Sequence, residues 1–168
     1  MLFRSVRPGL LSTIQDLGRW GSQHIGVPVS GPMDLLSHRL ANALVGNPPD
    51  AATIEITLVG PELRIDSDTT VAVTGGDFDV MLDDVEVPLE TALRCPAGSV
   101  LRFGERRSGA RAYIAFAGGV ATPPVLGSRS THMLSALGGI DGRALRAGDR
   151  LPLGDRKSTR LNSSHSQQ

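Results

Sequence analysis

Short apolar runs, punctuated by glycine and proline, dominate residues 1–154 of this 168-residue chain. The runs are β-branched or alternate between apolar and polar side chains, which is typical of short antiparallel strands. We predict strands at residues 2–7, 53–59, 62–65, 70–74, 79–82, 85–88, 99–103 and 111–117. A tight hairpin turn is predicted at Asp83-Asp84. The pattern therefore predicts a mainly β fold, as a barrel or a sandwich.

One segment has helical spacing instead. Apolar side chains recur from Leu35 to Leu44, which predicts one main helix at about residues 32–46. Ser30 is the predicted N-cap, and the glycine and prolines of residues 46–49 end the helix. His38 falls on its predicted polar side. A second, short helical turn is predicted at residues 131–137.

Composition narrows the class of protein. Hydrophobic residues make up 40% and charged residues 20%, and no apolar run is long enough for a membrane helix. The first residues lack the pattern of a secretory signal, and the single Cys95 indicates a reducing cytoplasm and an unreactive thiol. The net charge is zero and no basic face appears, which argues against nucleic-acid binding.

The only lysine is Lys157, close to the C-terminus. Residues 1–154 therefore cannot supply a phosphate-binding, Schiff-base or biotinylated lysine. Any anion bound there must be held by arginine or by backbone amides.

Residues 155–168 differ from the rest of the chain, because they are rich in serine and lack apolar periodicity. We interpret them as a disordered tail or as foreign sequence, since residues 156–167 resemble a translated adapter. We expect no function from them. Residues 1–154 then form a single domain, cut short.

Two polar segments could carry chemistry. The first gathers Gln15, Asp16 and Arg19 in a glycine-containing stretch, where Arg19 could hold a carboxylate or phosphate and Asp16 could orient it. Alternatively, Asp16 and Arg19 pair and staple the loop. The second joins Gly118 and Gly119 to residues 127–131; it is either an anion pocket or a glycine-lined turn with a solvated arginine.

No metal site is predicted. The acidic residues at 77, 79, 83 and 84 follow strand alternation and lack the spacing of a calcium loop. The histidines are too scattered for zinc, and no nucleophile elbow is present.

A series of ordered blocks resembles the biotin-dependent carboxyltransferase family, also called allophanate hydrolase subunit 2, and within it the type of the 5-oxoprolinase C subunit, the kinase-inhibitor antagonist. The blocks lie at residues 8–10, 13–19, 26–28, 30–34, 41–42, 44–47, 55–57, 60–61, 74–77, 108–113, 118–119, 127–131, 142–145 and 148–149. The resemblance implies a cyclophilin-like β-barrel that is the N-terminal part of a longer domain.

The resemblance also implies an activity: part of an ATP-dependent amide hydrolase that opens 5-oxoproline to glutamate, with ATP and magnesium as co-substrate. Its expected partners are a B-type and an A-type subunit in a cytoplasmic hetero-oligomer, and the truncated chain is expected to be inactive alone. Catalytic roles fall to Gln15, Asp16 and Arg19. The expected substrate- or nucleotide-binding residues are Asp34, Gly118, Gly119, Ser128, Arg129 and Thr131.

Two alternatives stay open. The first is a carboxyltransferase domain that moves a carboxyl group from carboxybiotin to urea. The second is a regulator without turnover that binds a kinase-inhibitor partner. Both amide chemistries need a carbonyl polarised by fixed donors, which arginine and backbone amides can supply.

Overall fold

A computed structural model describes residues 2–155; of the segment predicted to be a disordered or foreign tail, residues 155–168, all but Asp155 lies outside them. These described residues are mainly β, with 44% strand and 8% helix, which confirms the predicted class. The strands are β1 Leu2–Arg7, β2 Leu11–Gln15, β3 Thr53–Thr57, β4 Glu62–Ile65, β5 Thr69–Leu82, β6 Val85–Glu86, β7 Leu93–Cys95, β8 Val100–Phe116 and β9 Arg150–Pro152; the α-helix is α1 Leu35–Leu44.

Two long strands, β5 and β8, organise the sheet. They pair antiparallel from Val71 opposite Phe116 to Leu82 opposite Leu101, with register shifts between Gly75 and Val80. The sequence predicted four separate strands here, because glycines were interpreted as turns. In the structure Gly75 has φ 100° and its backbone lies against that of Arg111, so the glycine permits a bulge instead of ending the strand.

The strand β2 was missed. Ser12, Thr13 and Gln15 are polar but buried, so the segment shows no alternation of apolar and polar positions. It pairs antiparallel with β3 at the edge of the sheet order β2-β3-β8-β4-β1-β9. The short β7 and β9 were missed as well. Part of the stretch predicted to be a functional loop is therefore strand, and the loop begins at Asp16.

Alternation along β8 supplies two apolar layers. Ile114 and Phe116 enter the main core inside the curled sheet, where the Phe116 ring stacks on Phe3 with ring centroids 4.4 Å apart. Tyr113, Ala115 and Ala117 point to the other face, where α1 covers them. Small alanines on this face let the helix approach the sheet closely.

The helix is shorter than predicted and begins differently. Asp34, and not Ser30, is its N-cap, since its carboxylate accepts a hydrogen bond from the Ser37 amide at 3.1 Å. His38, Ala41 and Asn42 form its buried face. The prediction that His38 lies on the polar surface is therefore wrong, because hydrogen bonds to neighbouring loops compensate its burial.

The predicted hairpin at Asp83-Asp84 is confirmed, with Leu82 opposite Val85 and positive φ at both aspartates. The predicted helical turn at residues 131–137 is wrong: a bridge between His132 and Leu137 closes a tight hairpin there. In both turns, the residues that flank the turn pair with each other as in a hairpin. This pairing, and not the helical propensity of the residues within the turn, decides the conformation of the turn.

Cys95 is fully buried, and burial raises the pKa of its thiol to about 11. A thiol with so high a pKa is a poor nucleophile near neutral pH, in agreement with the predicted unreactive cysteine. Within residues 2–155, no helix has the length and apolar character needed to cross a bilayer.

Candidate functional site

The two polar segments singled out in the sequence meet in the structure. The strand β2 ends at Gln15, and the chain from residue 125 to 131 runs beside it, with the Thr131 amide donating to the Ile14 carbonyl at 2.9 Å. The Gln15 amide group bridges this contact, since its Nε2 donates to the Thr131 carbonyl at 3.2 Å and its Oε1 accepts from the Gly31 amide at 3.1 Å.

Asp16 holds the two segments together. Its Oδ1 accepts hydrogen bonds from the Ser128 and Ser130 hydroxyls at 2.6 and 2.7 Å and from the Gly18 amide at 3.0 Å. Its Oδ2 accepts from the Arg129 amide at 2.7 Å. Hydrogen bonds to an ionised carboxylate are stronger than neutral ones. Asp16 therefore staples the loop that carries Arg129, and it does so without pairing with Arg19.

Arg19 lies behind this loop and is fully buried. Its Nε donates to the Val125 carbonyl at 2.7 Å, and one Nη donates to the Ser128 and Ser130 carbonyls at 3.0 and 2.9 Å. The other Nη has no hydrogen-bond partner among residues 2–155. The guanidinium thus fixes the backbone of the loop, and its burial keeps it out of the lining of the neighbouring pocket.

A pocket of about 330 Å³ opens in front of the staple. It is lined by Asp16, Leu17, Gly18, Trp20, Asp50, Leu126, Gly127 and Arg129. Arg129 is the cationic side chain among them, and its Nε donates to the Thr122 carbonyl at 2.7 Å. Within the part of the chain that the structure describes, its two Nη atoms make no hydrogen bond, so they can donate to a ligand.

Ser128 and Thr131 do not line this pocket. The Ser128 hydroxyl is committed to Asp16, and Thr131 is buried behind the loop. Trp20 is 68% exposed at the pocket's edge, and its Nε1 donates to the Leu17 carbonyl at 3.0 Å. The pocket therefore offers a planar apolar surface beside a guanidinium with free donors.

Gly118 and Gly119 lie at another place, directly after β8. A Cβ on Gly118 would collide with the Gly154 carbonyl oxygen, so the space beside this glycine is filled by the chain's own backbone. The Gly118 amide donates to the Asn47 side chain at 2.8 Å, and Asn47 in turn donates to the Phe116 carbonyl at 2.7 Å. Asn47 thus satisfies the backbone at the end of β8, near the helix.

Asp34 is also separate from the Arg129 pocket. Its carboxylate caps α1, and hydrogen bonds from Ser37 hold the pKa of that carboxyl below its usual value. It lines a second, open pocket of about 490 Å³ with residues 75–77 and 108–111. The structure therefore does not bring Asp34 together with Arg129.

A buried pair next to Asp34 was missed by sequence reasoning. The Tyr113 hydroxyl donates to Glu55 Oε2 at 2.6 Å and accepts from the Asp34 amide at 2.8 Å, and Glu55 Oε2 also accepts from the Met33 amide at 2.8 Å. Burial, and then the Glu55 carboxylate, raises the pKa of Tyr113. The only signal in the sequence was a lone glutamate within an otherwise apolar and threonine-containing strand. This pair ties the start of α1 to the sheet.

His38 lies beneath the same helix. Its Nε2 is 3.1 Å from the Pro49 carbonyl oxygen, which can only accept, so Nε2 carries the proton. Its Nδ1, 2.9 Å from Thr53 Oγ1, then accepts from that hydroxyl. Burial lowers the pKa of His38, so the neutral imidazole is favoured.

The lowered pKa predicts how stability depends on pH. The unfolded chain binds the His38 proton more tightly than the folded one, so the free energy of unfolding is highest above the unfolded pKa of about 6.5. It decreases as the pH falls below that value. Urea unfolding measured at a series of pH values checks this. His38→Gln is expected to flatten the decrease, whereas His24→Gln, at an exposed position, is expected to retain it. Equal slopes in both variants would contradict the assignment.

Comparison with known proteins agrees with this fold. The family model described as carboxyltransferase domain, subdomain A and B, matches residues 25–168. Urea amidolyase of Saccharomyces cerevisiae is 46% identical over 143 residues, which are 84% of this chain and 8% of that protein. The C subunit of 5-oxoprolinase from Escherichia coli is 39% identical over 156 residues, 93% of this chain and 50% of that relative.

The crystal structure of Kluyveromyces lactis urea carboxylase superposes with a TM-score of 0.90 at 41% identity, over 93% of this chain and 14% of that one. This chain thus spans half, or much less, of the length of these relatives. Because the family model covers most of the chain, and the fold and ordered blocks agree with it, the chain belongs to the carboxyltransferase domain family, as the sequence resemblance predicted.

Proposed function

We propose that the Arg129 pocket binds an oxygen-rich part of a small amide substrate or of a nucleotide, within an enzyme that opens 5-oxoproline to glutamate with ATP. The observation that carries this proposal is Arg129 itself: it lines the pocket, its backbone is fixed by Asp16 and its Nε by Thr122, and its Nη atoms make no hydrogen bond to residues 2–155. A guanidinium fixed in this way is already oriented before the ligand arrives, which favours binding of a carboxylate, a phosphate or a polarised amide oxygen.

A lactam is a poor electrophile, and ATP supplies the chemistry that activates it, by phosphorylation of the lactam oxygen. In this proposal the Arg129 guanidinium neutralises negative charge on the oxygens, and the exposed ring of Trp20 covers a planar face of the ligand. Gln15, Asp16 and Arg19 act by positioning the loop that carries Arg129.

The carboxylates of the pocket fit a magnesium ion brought by a nucleotide only in part. Asp16 has committed its oxygens to four donors, whereas the exposed Asp50 makes no hydrogen bond to the described residues. Magnesium in nucleotide sites is usually held by one or two carboxylates together with the phosphates, so Asp50 is the residue that would contact it.

The relatives named as the C subunit of 5-oxoprolinase are, by that name, parts of a multi-subunit enzyme. We propose that this chain likewise acts with a B-type and an A-type subunit in the cytoplasm. Groups that the pocket lacks, such as a base for the attacking water, would then come from outside residues 2–155.

A second candidate reaction is carboxyl transfer from carboxybiotin to urea. It is favoured by the 46% identity to yeast urea amidolyase, against 39% to the 5-oxoprolinase relative of Escherichia coli. Residues 2–155 contain no lysine to which biotin could be attached, so the biotin would be carried by another domain. In both reactions the same guanidinium would face a planar amide or its anionic product.

The test is turnover by a full-length protein that carries these residues, co-expressed with its B-type and A-type partners. Arg129→Ala is expected to lower kcat/KM for ATP-dependent opening of 5-oxoproline by about 100-fold, the scale on which one fixed donor contributes to stabilising charge. Arg129→Lys keeps the positive charge but loses the planar pair of donors. Its kcat/KM is therefore expected to lie between that of the unaltered protein and that of Arg129→Ala. Glutamate formation and ADP release measure the reaction.

Arg94→Ala is the matched control, because Arg94 is an exposed arginine on β7, outside the pocket lining. Unchanged kcat/KM in Arg129→Ala would contradict the role of the pocket. Turnover of urea with a biotin carboxylase, and none of 5-oxoproline, would replace the first reaction by the second. An intact complex that turns over neither substrate would support the remaining alternative, a regulator without turnover that binds a kinase-inhibitor partner.

A further inference from the structure

The open pocket of about 490 Å³ at the start of α1, called the Arg111 pocket below, is separate from the Arg129 pocket. It is lined by Asp34, by residues 75–77 on β5 and by residues 108–111 on β8. Gly75 and Gly109 have positive φ, and a Cβ on Gly109 would lie 2.7 Å from the Gly76 Cα. Much of the lining is therefore bare backbone, so a few side chains decide what the pocket can bind.

Arg111 is the cationic side chain of this lining, and a buried carboxylate anchors it. Its Nε lies 3.8 Å from Glu55 Oε1. Glu55 is fixed in turn, because its Oε2 accepts hydrogen bonds from the Tyr113 hydroxyl at 2.6 Å and from the Met33 amide at 2.8 Å. The Nη atoms of Arg111 make no hydrogen bond to residues 2–155, so they can donate to a ligand.

Negative charge lines the same pocket. The Asp34 carboxylate accepts hydrogen bonds from Ser37, which hold the pKa of that carboxyl below its usual value, so it is ionised at neutral pH. Asp77 lies 3.5 Å from Arg107. Among the described residues, no ion pair joins Arg111 to either aspartate. Opposite charges are thus held apart in one pocket, where a ligand can still pair with each of them.

This arrangement favours a ligand that carries both signs of charge. Glu55 already balances Arg111 and Asp34 adds a further negative charge, so a simple anion gains little from the pocket. A simple cation would lie close to the guanidinium. A dipolar ligand pairs with both sides, because its carboxylate accepts from Arg111 while its ammonium donates to Asp34.

We propose that the Arg111 pocket binds a free α-amino acid, with its carboxylate on Arg111 and its ammonium on Asp34. The hydroxyl of Ser108 makes no hydrogen bond to residues 2–155 and is available to the same ligand. The volume of about 490 Å³ lies within the range of small-molecule sites and leaves room for a side chain. This inference rests on the charges of this pocket, and it is independent of the proposed reaction and of the Arg129 pocket.

Titration calorimetry of this chain with L-alanine tests the proposal, because the side chain of L-alanine is uncharged and only its α-groups can be recognised by charge. Saturable one-to-one binding is expected. N-acetyl-L-alanine lacks the ammonium and L-alaninamide lacks the carboxylate, so each is expected to bind about tenfold more weakly or worse. Asp34→Asn and Arg111→Gln are expected to weaken the binding of L-alanine by a similar factor. Asparagine is as good an N-cap as aspartate, so Asp34→Asn keeps the start of α1.

Arg102→Gln is the matched control, because Arg102 is another ion-paired arginine on β8 and lies outside the lining of this pocket. It is expected to bind L-alanine like the unaltered chain, and circular dichroism checks that all three variants keep the fold. Absence of saturable binding up to about 10 mM, above the usual range of substrate affinities, would overturn the proposal. Equal binding of N-acetyl-L-alanine, or unchanged affinity in Asp34→Asn or Arg111→Gln, would overturn it as well.

Discussion

Replacing Arg19 by alanine is expected to lower the free energy of unfolding by about 4 kcal/mol. The side chain is fully buried and donates to the carbonyls of Val125, Ser128 and Ser130. Its removal leaves a cavity the size of a large side chain. It also leaves the Ser130 carbonyl without a donor among the described residues, whereas the Val125 and Ser128 carbonyls keep only the hydrogen bond that each accepts from the other's amide. Both effects act on the loop that carries Arg129, so the loop is expected to loosen before the sheet unfolds.

Urea unfolding, followed by circular dichroism, measures this loss. Arg19→Lys keeps the positive charge but changes the geometry of the donors, because one ammonium group cannot reach all three carbonyls. It is expected to lower the free energy of unfolding by about half as much as Arg19→Ala. Arg39→Ala is the control: Arg39 lies exposed on α1, and its change is expected to stay within about 0.5 kcal/mol. A loss below about 1 kcal/mol in Arg19→Ala would show that the loop does not depend on the guanidinium.

Asp16→Asn is expected to lower the free energy of unfolding by about 3 kcal/mol, although the two side chains have the same shape. Either orientation of the amide places an NH₂ group against donors: against the Arg129 amide if it replaces Oδ2, or against two serine hydroxyls and the Gly18 amide if it replaces Oδ1. The negative charge that strengthens these bonds is lost as well. For a chain of this length, the melting temperature should fall by about 6–12 °C.

Asp50→Asn provides the comparison, because Asp50 lines the same pocket but is exposed and makes no hydrogen bond to the described residues. Its melting temperature is expected to match that of the unaltered chain. If both variants melted alike, the carboxylate of Asp16 would not be the staple. Ser128→Ala removes one of the four donors to Asp16, so its melting temperature is expected to lie between those of Asp16→Asn and Asp50→Asn.

Strands were predictable where the apolar pattern was clean. The alternation in residues 62–65 reflects a strand with one face in the core, so that strand was confirmed. The apolar run predicted as a strand at residues 111–117 is the end of the longer strand β8, which is buried on both faces there. The strand β2 was not predictable, because Ser12 and Gln15 are buried by hydrogen bonds whose partners the apolar pattern does not reveal. A local pattern carries no information on such partners.

The sequence identified residues of the candidate site, but it did not predict how they are arranged in space. Asp16 and Ser128 were both singled out, yet their hydrogen bond joins positions 112 apart in sequence. Gly118 and Asp34 were assigned to ligand binding, and the structure places them at the Gly154 backbone and at the start of α1. The role of Glu55 with Tyr113 was missed because it depends on strands β3 and β8 being neighbours.

The sequence by itself determined the family, the mainly β class, the position of the helix and the absence of lysine from residues 1–154. Each of these depends on residue identity or on local periodicity, which the chain carries without being folded. Only the tertiary structure decided which face of α1 is buried and that Asp16, rather than an Asp16–Arg19 pair, joins the two loops. Burial of His38 and Asn42 toward the sheet is favoured only once Pro49, Ala51 and Thr53 supply their partners, and those contacts form when the chain folds.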